Sequence, residues 1–363
     1  MTTELLLYSA EPVVEVESTV RGELTRDLLR LDIEEDTDGL KTAVLRVAGT
    51  PAHPDMPQVP ELYLDGSILD FGMEVVISLG PSGSARTVFK GYISGIEAVY
   101  AEATEPEVVI FAEDKLMDLR TTRRFRTYER SSDADIAEAI ADEHGISADA
   151  SAEGPTYDVV QQWNQSDLAF LRDRADCIQA EVWIHDDTLH FATRPNRSGT
   201  EITLVQGNQL LAIQVRADLA HQRTGVRVAG YDASERDPID EEAGSDTVDA
   251  EITGGRTGPA TLQRAFGARV SYRVRDVPLT DTEAGDWARA EMLRRSRGFV
   301  TAVGTTNGTP DMVVGSTVVL DRVGAPFNGA GYYVTSVRHS YDRSEGLRTH
   351  FVAERPTINE AGS

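Results

Sequence analysis

Two distant stretches of this chain read alike, and the likeness constrains its fold more than any other feature. Glu74-Val-Val-Ile-Ser-Leu79 runs into a Gly/Pro/Ser turn and then into Phe89-Lys-Gly-Tyr-Ile-Ser-Gly-Ile96. Much later, Thr317-Val-Val-Leu-Asp-Arg322 runs into a turn and then into Phe327-Asn-Gly-Ala-Gly-Tyr-Tyr-Val-Thr-Ser-Val337. Each stretch is a strand, a glycine turn, Phe-x-Gly and a second strand. Hairpins commonly look alike, so one reading is two unrelated hairpins. The other is two copies of one β-barrel with a helical segment between them.

Other short β-branched or alternating runs fall at 14–20, 29–33, 42–48, 107–111, 225–231 and 349–352. In the 73–100 region, Ser94-Gly95 divides a strand at 87–93 from one at 96–100. Helices carry their own punctuation. Ser132 with Asp135 makes a capping box, Ile136, Ala137, Ile140 and Ala141 form an apolar stripe, and Gly145 is the stop. Ser166 opens a second helix with Leu168, Leu171 and Ala175 on one face. Thr280 and Glu283 start a third, lined by Ala284, Trp287, Ala288 and Met292 and ended by Gly298. Glu181-Val-Trp-Ile-His185 and Thr188-Leu-His-Phe-Ala192 flank Asp186-Asp187 as a hairpin. The acidic stretch 232–251 has no period and reads as a mobile loop or insertion.

The fold class expected is mainly β with an α+β middle: two β-barrels and a peripheral α+β domain. The first barrel spans 1–105, the α+β domain 106–200, and the second barrel 201–356 with an acidic insertion near 232–260. Residues 357–363 form a flexible tail.

Charge narrows the function. Asp and Glu number 60 against 35 Lys and Arg, a formal net charge of -25. No basic stripe for nucleic acid exists on the whole-chain scale. Lys41, Lys90 and Lys115 are the only lysines, a bias that suits a salt-adapted host or a GC-rich genome. Cys177 is the sole cysteine, so no intrachain disulfide can form. The apolar run at 5–8 is too short for a signal-peptide core, and no window approaches the roughly 18 apolar residues of a membrane span. Synthesis in the cytoplasm is expected, with no membrane insertion.

Catalytic and metal motifs fail in turn. There is no G-x-S-x-G elbow and no P-loop; Gly80-Pro-Ser-Gly-Ser reads as a loop tip. His185 and His190 lie diagonally on one face of the expected hairpin and could join Asp186 or Asp187 at a metal, but no firm third ligand follows. The acidic run 32–39 puts Leu45 where an EF-hand needs a bidentate Glu, and reads as a solvated turn. Carboxylates are too many for any single pair to signal glycoside hydrolysis. No catalytic, cofactor or metal residue is assigned. Arg120-Thr-Thr-Arg-Arg-Phe-Arg126 stands out in so acidic a chain. It is either a strand edge balancing local acid or, through Arg123, Arg124 and Arg126, a patch for acid on a neighbour. Trp163 and Phe170 are interface anchors or core.

Three runs carry a family resemblance: Phe89-Lys-Gly-Tyr-Ile93, Ala112-Glu-Asp-Lys-Leu-Met-Asp-Leu119 and Tyr157-Asp-Val-Val-Gln-Gln-Trp-Asn-Gln-Ser-Asp-Leu-Ala-Phe-Leu-Arg172. The chain resembles the phage late control protein D family and the N-terminal hub of VgrG proteins of type VI secretion, clearly over 87–195 and more loosely over 265–355. Its most specific residues are Gln162, Trp163, Asn164, Ser166, Asp167 and Phe170. The resemblance implies a structural baseplate hub of a contractile phage tail or injection system, not an enzyme. It implies a homotrimer of two tube-like barrels per subunit, which presents six barrels to a hexameric inner tube or tube initiator. Further partners would be a spike protein, here a separate polypeptide, and other baseplate proteins. No cofactor is implied, and the chain would end up assembled in a virion or extracellular particle. The alternatives are a cell-wall or polysaccharide hydrolase, or a glycan- or receptor-binding module, of the same particle.

Overall fold

The computed structural model describes residues 11–49, 63–81, 85–102, 104–197, 199–252, 254–274 and 277–360. The run at 5–8, Ser82 and Ser84 of the loop tip and the last three residues of the expected tail lie outside the described residues.

The first β unit comprises β1 (Val13–Val16), β2 (Thr19–Val20), α1 (Gly22–Asp27), β3 (Leu28–Asp36), β4 (Thr42–Ala48), β5 (Glu74–Leu79), β6 (Arg86–Val99) and β7 (Glu107–Glu113). The middle carries α2 (Leu116–Thr121), β8 (Arg123–Ser131), α3 (Asp133–Glu143), β9 (Ser147–Ala150), β10 (Tyr157–Ser166), α4 (Asp167–Ile178), β11 (Ala180–His185) and β12 (Thr188–Thr193). β13 (Glu201–Val205) and β14 (Leu210–Ala217) open the second β unit. An insertion follows: β15 (Gly225–Asp232), β16 (Asp237–Gly244), β17 (Arg256–Thr257), α5 (Gly258–Phe266), β18 (Val270–Arg273) and α6 (Asp281–Arg297). The unit resumes with β19 (Val300–Asn307), β20 (Thr317–Asp321), β21 (Gly329–Asp342), β22 (Gly346–Arg355) and β23 (Thr357–Ile358).

The chain is mainly β, and its two β units repeat one another. The order β3-β4-β7-β6-β5 in the first matches β14-β19-β22-β21-β20 in the second. The irregularities match too. The β3–β4 ladder shifts between Leu28 and Arg30, and the β14–β19 ladder between Leu210 and Ala212. The β6–β7 ladder shifts between Ile93 and Gly95, and β21–β22 between Val334 and Ser336. Bulges of this kind bend a strand at a fixed place. Ser94-Gly95 is therefore a bulge inside one 14-residue strand, not a break between two. The equivalent strand β21 is also 14 residues long.

Alternation sets each core. β5 reads intermediate–buried throughout, with Val75, Ile77 and Leu79 inside. With Leu31, Ile33, Leu45, Val47 and Phe89 these residues form the first core. Phe299, Val300, Val318, Tyr332, Val334 and Phe351 form the second. The units are not separate sheets. β21 pairs with β20 at its start and with β3 at its end, so both units share one 13-stranded sheet.

Three expectations are corrected. Residues 237–244 are not irregular but a strand paired with β15, because Ile239 and Ala243 face a core. The segment 225–297, expected within the second barrel, packs elsewhere. Val226, Val228, Ile239, Trp287 and Met292 share a core with α3, α4 and the β11–β12 hairpin. The chain leaves the second unit after β14, completes the middle domain and returns at β19. Nor is the chain after Pro356 wholly a tail: Thr357 and Ile358 pair with Thr257 and Arg256, and Thr357 is buried.

One buried charge cluster ties the three parts together. Arg197, with its side chain 3% exposed, reaches Glu35 of β3 at 2.7 Å and Glu181 of β11 at 3.0 Å, and lies 4.5 Å over the Trp183 ring. Arg194 reaches Glu181 at 3.2 Å and Glu354 of β22 at 2.5 Å. The Tyr333 hydroxyl donates to Glu181 at 2.8 Å. Burial opposes the charge on Arg194, but Glu354 and Glu181 outweigh it and hold its pKa above the ordinary value.

His339 sits where β21 meets β3, opposite Ile33. Its Nε2 donates to the Met312 carbonyl at 3.1 Å and its Nδ1 accepts from the Thr349 hydroxyl at 3.0 Å, as a neutral ring requires. Burial, with Lys41 adding to it, pushes its pKa down to about 4. The unfolded chain therefore takes up this proton first, and the group costs stability as pH falls from about 6.5 to about 4. Asp114 acts in the opposite sense. Burial raises it to about 6 although the Lys41 and Leu116 amides donate to it, so its ionisation costs stability as pH rises towards 6. Replacing His339→Gln should remove only the first effect. Between pH 7 and pH 4 the variant should gain about 2–3 kcal/mol relative to the parent chain, read from denaturant titrations at each pH. A difference that does not change with pH contradicts the assignment.

Candidate functional site

The basic run and the polar-aromatic run lie on facing strands. β8 and β10 form an antiparallel ribbon in which Arg123 is opposite Ser166, Arg124 opposite Gln165, Phe125 opposite Trp163 and Arg126 opposite Gln162. The ladder shifts between Trp163 and Gln165, and Asn164 takes up the extra residue at φ 50. Asn tolerates this left-handed conformation better than most residues. Arg123 fixes the bulge by donating to the Asn164 carbonyl at 3.0 and 2.6 Å.

Beneath the ribbon lies a fully buried carboxylate. Ser166 caps α4 by accepting from the Ala169 amide at 3.2 Å, which places Asp167 in the helix's first turn. Asp167 accepts from Gln162 at 2.8 Å, His144 at 2.8 Å and Arg124 at 2.9 Å. Burial alone would raise its pKa, but these donors outweigh burial and hold it below the ordinary carboxylate range. Arg124 also meets Glu143 at 3.0 Å, and Arg126 pairs with the same Glu143. Arg126 further lies over the Tyr128 ring, which stacks on Phe170 at 5.8 Å.

The structure thus divides the sequence candidates. Gln162, Ser166, Asp167 and Phe170 are interior, and Arg123, Arg124 and Arg126 spend their donors on groups of this chain. What faces solvent is an apolar pair, Phe125 at 77% exposure opposite Trp163 at 66%. Val159 on the same ribbon is also exposed. An exposed cross-strand aromatic pair on a rigid ribbon has the composition of an interface centre.

A groove of about 360 Å³ runs beside the ribbon, lined by Tyr157, Gln161, Asp173, Arg174, Cys177 and Trp287 among others. Several of its polar groups are engaged internally. Arg174 holds Asp133 at 2.5 Å and lies over the Tyr157 ring, whose hydroxyl donates to Asp133 at 3.1 Å. Burial raises the Cys177 thiol, which leaves it largely protonated. At the β11–β12 turn both Asp186 and Asp187 have positive φ, as a two-residue hairpin needs. His190 stacks on Trp183 and approaches Asp149 at 3.3 Å, while His185 approaches Asp186 at 3.4 Å. Among the described residues no group of three or more His, Cys, Asp or Glu could hold a metal ion. The acidic run 32–39 is mainly strand, not a turn. Asp32 pairs with Arg30, Glu34 with Arg338, and Glu35 with Lys41 and Arg197.

The architecture, two repeated β units around an α+β domain, is that of tail proteins. A 43 kDa tail protein of prophage MuSo2 from Shewanella oneidensis superposes with a TM-score of 0.69 at 16% identity, over 96% of this chain and 99% of that one. A tail protein of Neisseria meningitidis MC58 gives 0.65 at 13% identity, over 96% and 97%. An Escherichia coli component of the type VI secretion system, described as structurally similar to T4 bacteriophage tail proteins, gives 0.57 at 12% identity, over 93% and 74%. By sequence, the chain belongs to the family described as the Alg8 N-terminal domain, whose model matches residues 25–343. No curated protein matches it. No helix among the described residues is long and apolar enough to cross a membrane.

Denaturation of single variants separates interior from surface. Asp167→Ala strips the partner from Arg124 and His144 and should cost about 3–5 kcal/mol. Phe170→Ala should cost a similar amount by opening a cavity. Trp163→Ser should stay within about 1 kcal/mol of the parent. A Trp163 variant as unstable as Phe170→Ala would contradict its reading as a free surface residue.

Proposed function

We propose that the chain is a structural hub of a contractile tail or injection system, of the late control protein D and VgrG type, and acts as a homotrimer. The observation that carries this reading is the duplication. Two like β units joined in one sheet give a threefold assembly six like units, which suits a hexameric tube on one side and a trimeric spike on the other. The similarity of fold to tail and type VI secretion proteins supports a place in such a particle. The chain would be made in the cytoplasm and assembled into the particle with spike, tube and other baseplate proteins.

We read the protein as non-catalytic. The groove's Asp173 accepts from the Gln165 side-chain amide at 2.7 Å, and its Glu283 accepts from the Leu279 amide. These carboxylates serve the fold rather than a substrate. The formal charge of -25 favours solution at high salt. Light scattering in molar salt, with and without the particle's spike protein, is the test. A mass of three chains, alone or on adding the spike, is expected. A chain that stays monomeric in both samples contradicts the hub reading.

A further inference from the structure

Each β unit carries both edges of one kind of joint; one pair of edges is closed within the chain and the other pair is open among the described residues. Within the chain the end of β21 pairs with β3: Arg338 lies opposite Glu34, His339 opposite Ile33 and Tyr341 opposite Leu31. Arg338 and Glu34 form an ion pair at 3.9 Å, and Tyr341 packs against the first unit's core. The matched bulges give each of these residues a counterpart. On β6 and just beyond it, Glu97 stands for Arg338, Ala98 for His339 and Tyr100 for Tyr341. On β14, Arg216 stands for Glu34, Val215 for Ile33 and Ile213 for Leu31.

The counterpart edges are unpaired among the described residues. β14 ends the sheet, with β19 as its strand partner. β5 follows β6 only as far as Tyr92, and the edge of β6 beyond Ile93, on the side away from β7, carries no strand. Side chains that the internal joint covers are bare here. Tyr100 is 64% exposed, and Ile213 and Val215, counterparts of the buried Leu31 and Ile33, are only partly buried against the second core.

We propose that these edges are the two halves of one joint between copies of this chain. The end of β6 in one copy pairs antiparallel with β14 of the next, with Glu97 opposite Arg216, Ala98 opposite Val215 and Tyr100 opposite Ile213. A second copy fits for three reasons. The charges are complementary, with their signs exchanged relative to Arg338 and Glu34. The tyrosine is the same residue in both units and gains cover in both. An open strand edge is satisfied by another strand, and the strand that fits β6 in this register is β14. The contact is head-to-tail, so it propagates until it closes a ring. The inference rests on the hub reading only for closure at three copies.

Cysteine pairs in the full chain test the register. Either class of antiparallel pair brings Cα atoms within disulfide range. Under mild oxidation E97C/R216C should therefore link copies into a covalent ladder on a non-reducing gel. E97C/A217C should not, since neighbouring residues face opposite sides of the sheet. Cys177 is buried and serves as an internal background. In parallel, Glu97→Arg or Arg216→Glu alone should weaken self-association by about tenfold or more, and the double reversal should restore it. A trimer in which 97 and 216 stay unlinked and the double reversal does not rescue overturns this joint and leaves the hub reading standing. A chain that remains monomeric and unlinked at every concentration overturns the joint and the self-association it serves.

Discussion

The fold depends on the buried cluster of Arg194, Arg197, Glu35, Glu181 and Glu354. Charges taken from water cost several kcal/mol each, and their mutual attraction offsets this only where geometry is good and the remaining donors are satisfied. Here Trp183 and Tyr333 cover the guanidiniums, and Tyr333 donates to Glu181. One glutamate comes from each β unit and one from the middle domain, so the cluster forms fully only when all three are in place. Apolar packing alone would hold these parts together less specifically. The charged cluster adds a requirement of register more than it adds stability.

The same requirement appears at the surface. A sheet that runs through two repeated units and stops at edges left open among the described residues exposes an aggregation hazard. A chain carrying 60 acidic residues disfavours indiscriminate pairing through repulsion and admits a neighbour that brings a basic residue to the right place. Arg216 is such a residue on β14. The Phe125–Trp163 ribbon, built on the middle domain over the buried Asp167, is a separate exposed surface.

Local signals were legible in the sequence. The capping box of Ser132 and Asp135, the Ser166 cap and the Asp186-Asp187 turn are decided by neighbouring residues, and each is present. At α6 Thr280 caps the helix, but Glu283 accepts from Leu279, one residue before the box would have it. Duplication was visible in the β5–β6 and β20–β21 hairpins. A second sign is fainter: Thr42-Ala-Val44 on β4 and Thr301-Ala-Val303 on β19 occupy equivalent places, but Leu45-Arg-Val47 and Gly304-Thr-Thr306 diverge straight after. β10 was not legible as a strand because its burial departs from alternation: the core residues Tyr157 and Val160 stand three apart, and the bulge at Asn164 shifts the rest. The home of residues 225–297 was hidden because it depends on contacts between Trp287 and Tyr157 across the sequence. Asp167 belonged to a recognised motif, yet nothing local says that Arg124 and His144 converge on it.

Electron cryomicroscopy of the assembled ring, at a resolution that separates strands, tests the central claim most directly. The account predicts a threefold ring with a continuous inner sheet, in which β14 of each copy lies beside the end of β6 of the next and repeats the β3–β21 joint. A ring held only through the peripheral domains, or a twofold assembly with like edges paired, would contradict it.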